Sequence, residues 1–253
     1  MLLLRSILFN VAFYLNLVAY MLAALPTLLM RRRIVLAAAK SWARSSLWLL
    51  RVICGVKVEF RGLEKLPRGA FLVAAKHQSA WETFALIPLF ADPAFILKRE
   101  LMWIPLFGWY NRRAEMIPVD RGARSQALSK MTEQTRLELA RGRQIVIFPE
   151  GTRRPPGAEP KYKYGVAHLY AATGAVCVPV ALNSGLYWPR RSFRRYPGTI
   201  RVEILDPIEP GLDKKAFMAR LQQQVETASA RLVEEGRREL RGETSGPDKA
   251  AHR

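Results

Sequence analysis

Histidine and cysteine are scarce in this chain. Its 253 residues include only His77, His168 and His252, so any chemistry that needs an imidazole has a very short set of candidates. The two cysteines, Cys54 and Cys177, cannot build a disulfide framework, and no Cys/His cluster has zinc spacing, so no metal site is expected. Acidic residues are few, 21 Asp and Glu against 40 Lys and Arg, which leaves a formal net charge of +19. There is no Gly-x-Ser-x-Gly, which removes the nucleophile elbow of the serine hydrolases. Zinc-finger, RNA-binding aromatic and helix-turn-helix patterns are missing too, so nucleic acid is not an expected partner despite the positive charge. Apolar residues are plentiful instead. They make up 50% of the chain, enough to bury a core and to exclude a disordered polymer.

The N-terminus supplies the other explanation for the basic charge, an anionic lipid surface. Residues 6–30 carry no charge at all. As a helix this run would be roughly 37 Å long, against ~30 Å for a bilayer's hydrocarbon core. It exceeds the ~7–15 apolar residues of a signal peptide, and no clear small-x-small cleavage site comes after it, so a retained membrane segment is expected. Asn10, Asn16 and Pro26 interrupt it, which keeps a hairpin open beside a true span. Arg31, Arg32 and Arg33 come next, and Lys40, Arg44 and Arg51 then punctuate a stretch containing Trp42 and Trp48. That pattern predicts an amphipathic interfacial helix whose cations face lipid head groups, with a packed surface helix as the alternative. Cations on the C-terminal side of the apolar run place the remaining chain in the cytoplasm, and a bacterial inner membrane is the expected location.

Beyond Gly55, short apolar runs alternate with amphipathic ones. Strands are expected at 56–60, 70–75, 94–98, 144–148, 175–182 and 199–205, and helices at 79–90, 101–110, 125–141, 166–173 and 213–240. This predicts an α/β class, a mixed, largely parallel sheet flanked by helices, preceded by a membrane helix or hairpin. The divisions are 1–54 for the membrane segment, 55–240 for the domain and 241–253 for a flexible tail. Leu128, Met131, Leu137 and Leu139 are expected to face the sheet from one helix. Cys177 and His168 read as packing residues.

Two constellations carry chemistry. His77 stands just past a buried strand, at its C-terminal edge, where open α/β sheets place ligands. Glu82 is five residues on, and the two meet if His77 lies in the turn and Glu82 in the first helical turn. Ser79 as N-cap gives that geometry, since Ser-x-x-Glu is a capping box. Glu82 thus either reaches back to the Ser79 amide or orients His77 as a general base, and two carboxylate oxygens permit both. The second constellation is IVIFPEGTRR, residues 145–154, which turns out of a strand at Pro149. Gly151 admits close approach of a ligand, Arg153 suits a bidentate grip on phosphate, and the Thr152 hydroxyl adds a donor.

His77 with Glu82, IPVDRG (117–122), FPEGTR (148–153) and VPVALNSG (178–185) resemble, in order and spacing, the four motifs of the PlsC-type glycerolipid acyltransferases. One departure is that the family usually has Asp where this chain has Glu82. The resemblance implies the glycerolipid acyltransferase fold and direct acyl transfer from acyl-CoA or acyl-carrier protein to lysophosphatidic acid, with no cofactor. It implies His77 as general base and Glu82 as its partner. Asp120, Arg121, Glu150, Gly151 and Arg153 would bind the glycerol-phosphate end, and Pro179 would shape the acyl or thioester side. Lys161 and Lys163 would meet phosphate or the donor, or else be solvated surface. Oxyanion donors are expected among the backbone amides after His77. Another lysolipid acceptor, such as a lyso-ornithine lipid, and a non-catalytic, membrane-bound basic protein that binds lipid or nucleic acid are the alternatives.

Overall fold

A computed structural model describes residues 1–120 and 124–243; Arg121 and the end of the expected tail lie outside them. Seven strands form one sheet: β1 (Val56–Arg61), β2 (Phe71–Ala75), β3 (Pro93–Lys98), β4 (Ile117–Val119), β5 (Gln144–Ile147), β6 (Cys177–Leu182) and β7 (Gly198–Ile204). Their order is β1-β7-β6-β2-β5-β3-β4, and every pairing is parallel except β6 with β7. The mixed, largely parallel sheet expected from the sequence is present. β2 and β6 are buried at every position, because helices cover both faces of the sheet and leave no side for water.

Eight α-helices surround it among the described residues: α1 (Leu2–Ala23), α2 (Arg32–Cys54), α3 (Glu82–Ala85), α4 (Phe107–Arg113), α5 (Arg124–Ala140), α6 (Gly165–Thr173), α7 (Ser184–Tyr187) and α8 (Lys214–Leu240). Several expectations are corrected. The helix over 79–90 is only α3 plus a 3₁₀ turn at Ile87–Leu89, because Pro88 cannot continue it. Pro105 likewise splits 101–110 into a 3₁₀ turn, Arg99–Trp103, and α4. On α5, Met131 is buried and Leu128 and Leu139 pack on the core, but Leu137 is 55% exposed. Six residues of helix carry Leu137 about 240° away from Met131.

α1 and α2 form a hairpin, joined through a 3₁₀ turn at Leu25–Leu29 that contains Pro26. α1 is long and apolar enough to cross a bilayer by length and composition. It is nonetheless fastened to the rest of the protein along its whole length. Asn16 Nδ2 donates to Ser45 Oγ and Ser46 Oγ at 2.9 and 3.0 Å, Tyr20 and Ser41 hydroxyls are 2.9 Å apart, and Tyr110 donates to the Met21 carbonyl at 2.6 Å. Phe9 and Phe13 pack edge-on against Trp188, and Phe13 also meets Trp42 and Phe84. Phe9, Leu36 and Leu50 accordingly belong to the same core as Val73 and Val178. Two basic residues of α2 expected to face lipid head groups turn to the protein instead: Lys40 donates to the Phe90 and Ala91 carbonyls, and Arg32 pairs with Asp92.

Candidate active site

Five neighbouring strands, β6, β2, β5, β3 and β4, run in one direction and finish along one edge of the sheet. The residues that leave those strand ends are Ser184, His77, Phe148 to Arg153, Lys98 and Asp120. Motifs far apart in sequence meet because parallel pairing aligns their exits.

His77 Nδ1 lies 3.0 Å from Glu82 Oε1. The same oxygen accepts the Gln78 and Ser79 amides at 2.7 and 2.6 Å, while Oε2 accepts the Ser184 hydroxyl at 2.7 Å. Three donors converge on Oε1, so the imidazole meets it as Nδ1–H, which leaves the Nε2 lone pair for an incoming proton. Phe148 stacks on the ring with centroids 4.2 Å apart and fixes its plane. Glu82 is fully buried and the His77 side chain is 12% exposed. Glu82 meets both the His77 ring and the Ser79 amide, and two details differ from expectation. The N-cap of α3 is Trp81, and Ser79 Oγ accepts the Trp81 amide. The amides of Gln78 and Ser79 are committed to Glu82, so they are not available as oxyanion donors.

Glu150 does not face the ligand side, contrary to expectation. It is buried beneath His77, accepting the His77 amide at 2.9 Å through Oε2 and pairing with Lys76 Nζ at 2.9 Å through Oε1. Lys76, itself buried, reaches Glu226 of α8 at 2.7 Å, and the Tyr162 hydroxyl donates to that carboxylate. Burial pushes the Glu150 carboxyl above its ordinary range while the Lys76 ammonium pulls it down. Burial, with Glu226 beside it, pushes the Tyr162 hydroxyl far up and keeps it a donor. A carboxylate placed this way sets the His77 main chain. It would repel a phosphate.

A cavity of about 690 Å³, within the usual ~300–1,000 Å³ of ligand pockets, opens beside His77. Its wall is mainly apolar, with Leu36, Trp42, Phe84, Phe95 and Met116 among its residues, and part comes from α1. The polar lining includes His77, Lys98, Gly151, Thr152, Arg153, Arg190 and Arg191. His77 and Arg153 therefore share one space. Gly151 sits at φ +64°, closing the turn in which its amide donates to the Phe148 carbonyl at 2.9 Å.

The other candidates lie elsewhere. Pro179 is buried inside β6, where Cys177 opposes Ile208 and Val180 opposes Ile204, so three residues face two. That bulge accommodates a residue without an amide hydrogen, which makes Pro179 a packing element away from the cavity. Asp120 pairs with Arg99 at 2.7 Å and is not in the lining. Lys161 is exposed near Glu159, and Lys163 lies against Gly151, its amide donating to the Pro149 carbonyl. Cys177 is buried, and burial pushes its thiol up; His168 is half-buried and away from the cavity. Sequence reasoning missed Ser184, Lys98, Arg190 and Arg191, of which only Ser184 falls within one of the four motifs.

Fold and site together define an α/β protein with a shielded imidazole–carboxylate pair that opens on an apolar cavity set with arginines. The chain belongs to the Acyltransferase family, whose sequence profile matches residues 57–183. It is 38% identical over 187 residues to a 1-acyl-sn-glycerol-3-phosphate acyltransferase of Pseudomonas aeruginosa, covering 74% of this chain and 73% of that one. It is 28% identical over 204 residues to the human 1-acyl-sn-glycerol-3-phosphate acyltransferase alpha, covering 79% and 71% respectively. The crystal structure of the LPA acyltransferase PlsC from Thermotoga maritima superposes with a TM-score of 0.73 at 26% identity, covering 93% of this chain and 98% of that one.

Proposed function

We propose that this protein transfers an acyl group from a thioester, acyl-CoA or acyl-carrier protein, to the sn-2 hydroxyl of 1-acyl-sn-glycerol-3-phosphate. The product is phosphatidic acid for phospholipid synthesis. The observation that carries this reading is the cavity shared by His77 and Arg153, apolar along its walls and basic beside His77. An apolar chain with a phosphate at one end fits that polarity, and the relatives' names agree with it.

His77 Nε2 takes the proton of the lipid hydroxyl as its oxygen attacks the thioester carbonyl carbon. The C–S bond then breaks, and the departing thiolate takes the proton back from the imidazolium. Glu82 holds the ring through Nδ1 and balances its transient charge. Arg153 grips the phosphate and sets the hydroxyl against His77, so positioning supplies much of the acceleration. The thioester carries its own activation, and the reaction needs no cofactor. The outward apolar side of α1 rests in the cytoplasmic leaflet of a bacterial inner membrane, which lets the acceptor enter from lipid and the donor from water.

Thiol release by purified protein tests this with lysophosphatidic acid and a panel of acyl-CoA and acyl-carrier-protein donors. Release that depends on lysophosphatidic acid and yields phosphatidic acid is expected. Release only with another acceptor, such as a lyso-ornithine lipid, or none at all, refutes it.

A further inference from the structure

About half of the described basic side chains meet a partner within the protein, and surface residues such as Arg33, Arg44 and Arg220 meet none. Arg61, Arg143, Arg201 and Arg231 each meet carboxylates. Three arginines line the cavity. The side chains of Arg153 and Arg191 have no hydrogen-bond or ion-pair partner among the described residues, and Arg190 spends one Nη1–H on the Arg153 carbonyl at 2.7 Å. Arg191 also holds φ at +57°, a backbone conformation that costs a residue with a Cβ roughly 1 kcal/mol or more and that glycine adopts freely. Backbone strain of this kind clusters at ligand sites, and here it sits on the wall of the cavity.

The loop that presents these arginines is fixed. Arg195, four residues on, lies over Trp188 at 4.1 Å, donates from Nη2 to Asn10 Oδ1 at 2.9 Å and from its amide to Ser6 Oγ at 2.9 Å. The Tyr196 amide donates to the Tyr187 carbonyl at 2.9 Å. The backbone that carries Arg190 and Arg191 is thereby held beside the cavity before a ligand arrives.

We propose that Arg190 and Arg191 complete, with Arg153, a three-arginine cage for a terminal phosphomonoester on the acceptor lipid, and that they select it over phosphodiester head groups. This rests on the reading of the acceptor given above. A phosphomonoester carries about −1.5 to −2 charge near neutral pH and three acceptor oxygens, enough to engage several planar forks at once. A phosphodiester has one charge and two free oxygens. A head group bearing an ammonium brings a cation against three more, which disfavours it actively. Arg190 and Arg191 lie outside the part of the chain matched by the family profile, residues 57–183.

The test is equilibrium binding, without donor, of short-chain lysophosphatidate and of lysophosphatidylglycerol to the full-length protein, its Arg191→Gly variant and its Arg190→Lys variant. Glycine suits the left-handed backbone, so Arg191→Gly removes the guanidinium without harming the fold, which a melting curve checks. The expected result is at least tenfold weaker binding of lysophosphatidate by Arg191→Gly and under threefold change for lysophosphatidylglycerol. Arg190→Lys keeps the charge but not the fork and falls between. Unchanged affinity for lysophosphatidate, an equal loss for both lipids, or no binding by the unaltered protein would overturn the cage. Binding as expected without any thiol release would leave the cage standing and refute the acyl-transfer reading alone.

Discussion

Replacing Glu82 by Gln tests the chemistry most directly, because the amide is nearly the same shape as the carboxylate. The Gln oxygen can still accept the Gln78 and Ser79 amides, and its NH₂ can donate to Ser184 Oγ, so the loop keeps its geometry. What disappears is the negative charge 3.0 Å from His77 Nδ1. When the imidazole becomes imidazolium, that charge is worth roughly 332/(20 × 3.0), or ~5.5 kcal/mol, at an effective dielectric near 20. The ring is 12% exposed, so water recovers part of the loss. A net cost of about 3–4 kcal/mol corresponds to a 10²- to 10³-fold fall in kcat at 1.36 kcal/mol per decade. Glu82→Asp keeps the charge but withdraws it by one methylene and strains the Ser184 bond. It is expected to lose only about tenfold, the ~1–1.5 kcal/mol of one hydrogen bond. Thiol-release rates at saturating substrates, with melting curves to exclude unfolding, give the comparison. Equal losses for Gln and Asp would mean that Glu82 acts by capping the loop, and the charge argument would fail.

His77→Ala should lower turnover by about 10²–10⁴-fold, the usual weight of a general base, while vesicle flotation stays unchanged; near-normal turnover would remove His77 from the mechanism. Arg153→Ala should raise KM for the phosphorylated lysolipid about 10- to 100-fold and leave the donor KM alone, since a charge-assisted bidentate contact carries ~1.5–3 kcal/mol. Lys76→Met strands Glu150 and Glu226 and should cost ~3–5 kcal/mol, seen as a drop of roughly 6–20 °C in Tm. Without Lys76, the folded Glu150 carboxyl lies still further above its unfolded value, so the deficit should grow as pH rises above about 4–5 and shrink in acid; a deficit independent of pH would contradict this. Gly185→Ala places a Cβ 2.7 Å from Pro156 Cδ and 3.0 Å from Gln78 Cβ. Overpacking of ~1–3 kcal/mol and a shifted His77 loop should lower both Tm and kcat, and a variant with normal values would show that the loops have slack.

Much of the sheet is legible in the chain because β2, β5 and β6 are apolar runs with few alternatives. β4 escapes because it has three residues, one of them Pro118, and is visible as a strand only through its pairing with β3 at the sheet edge. His77, Glu82 and Arg153 are legible as motif residues, and the structure brings them to one place. Glu150 is misassigned by sequence because an acid in a ligand turn gives no local sign that its partner is a lysine 74 residues away. Pro179 is misassigned for a similar reason: a bulge is a property of two strands, and only one of them is in the motif. Arg190 and Arg191 lie in a basic stretch that sequence alone cannot divide into solvated and ligand-facing members. Folding makes that division, by carrying α7 and its succeeding loop back over the exits of β2 and β5.

The aromatic packing of Phe9 and Phe13 on Trp188 has a physiological corollary. Fully burying one phenylalanine contributes about 1.5–3 kcal/mol, a sizeable share of the ~5–15 kcal/mol that holds an entire domain together; Phe9 is fully buried and Phe13 partly so. Deletion of α1 is therefore expected to destabilise the remaining domain and not to leave a working fragment. It would uncover Trp188 and Phe84 to water and send the remainder toward aggregation. α1 thus serves the folding of the domain as well as any contact it makes with lipid.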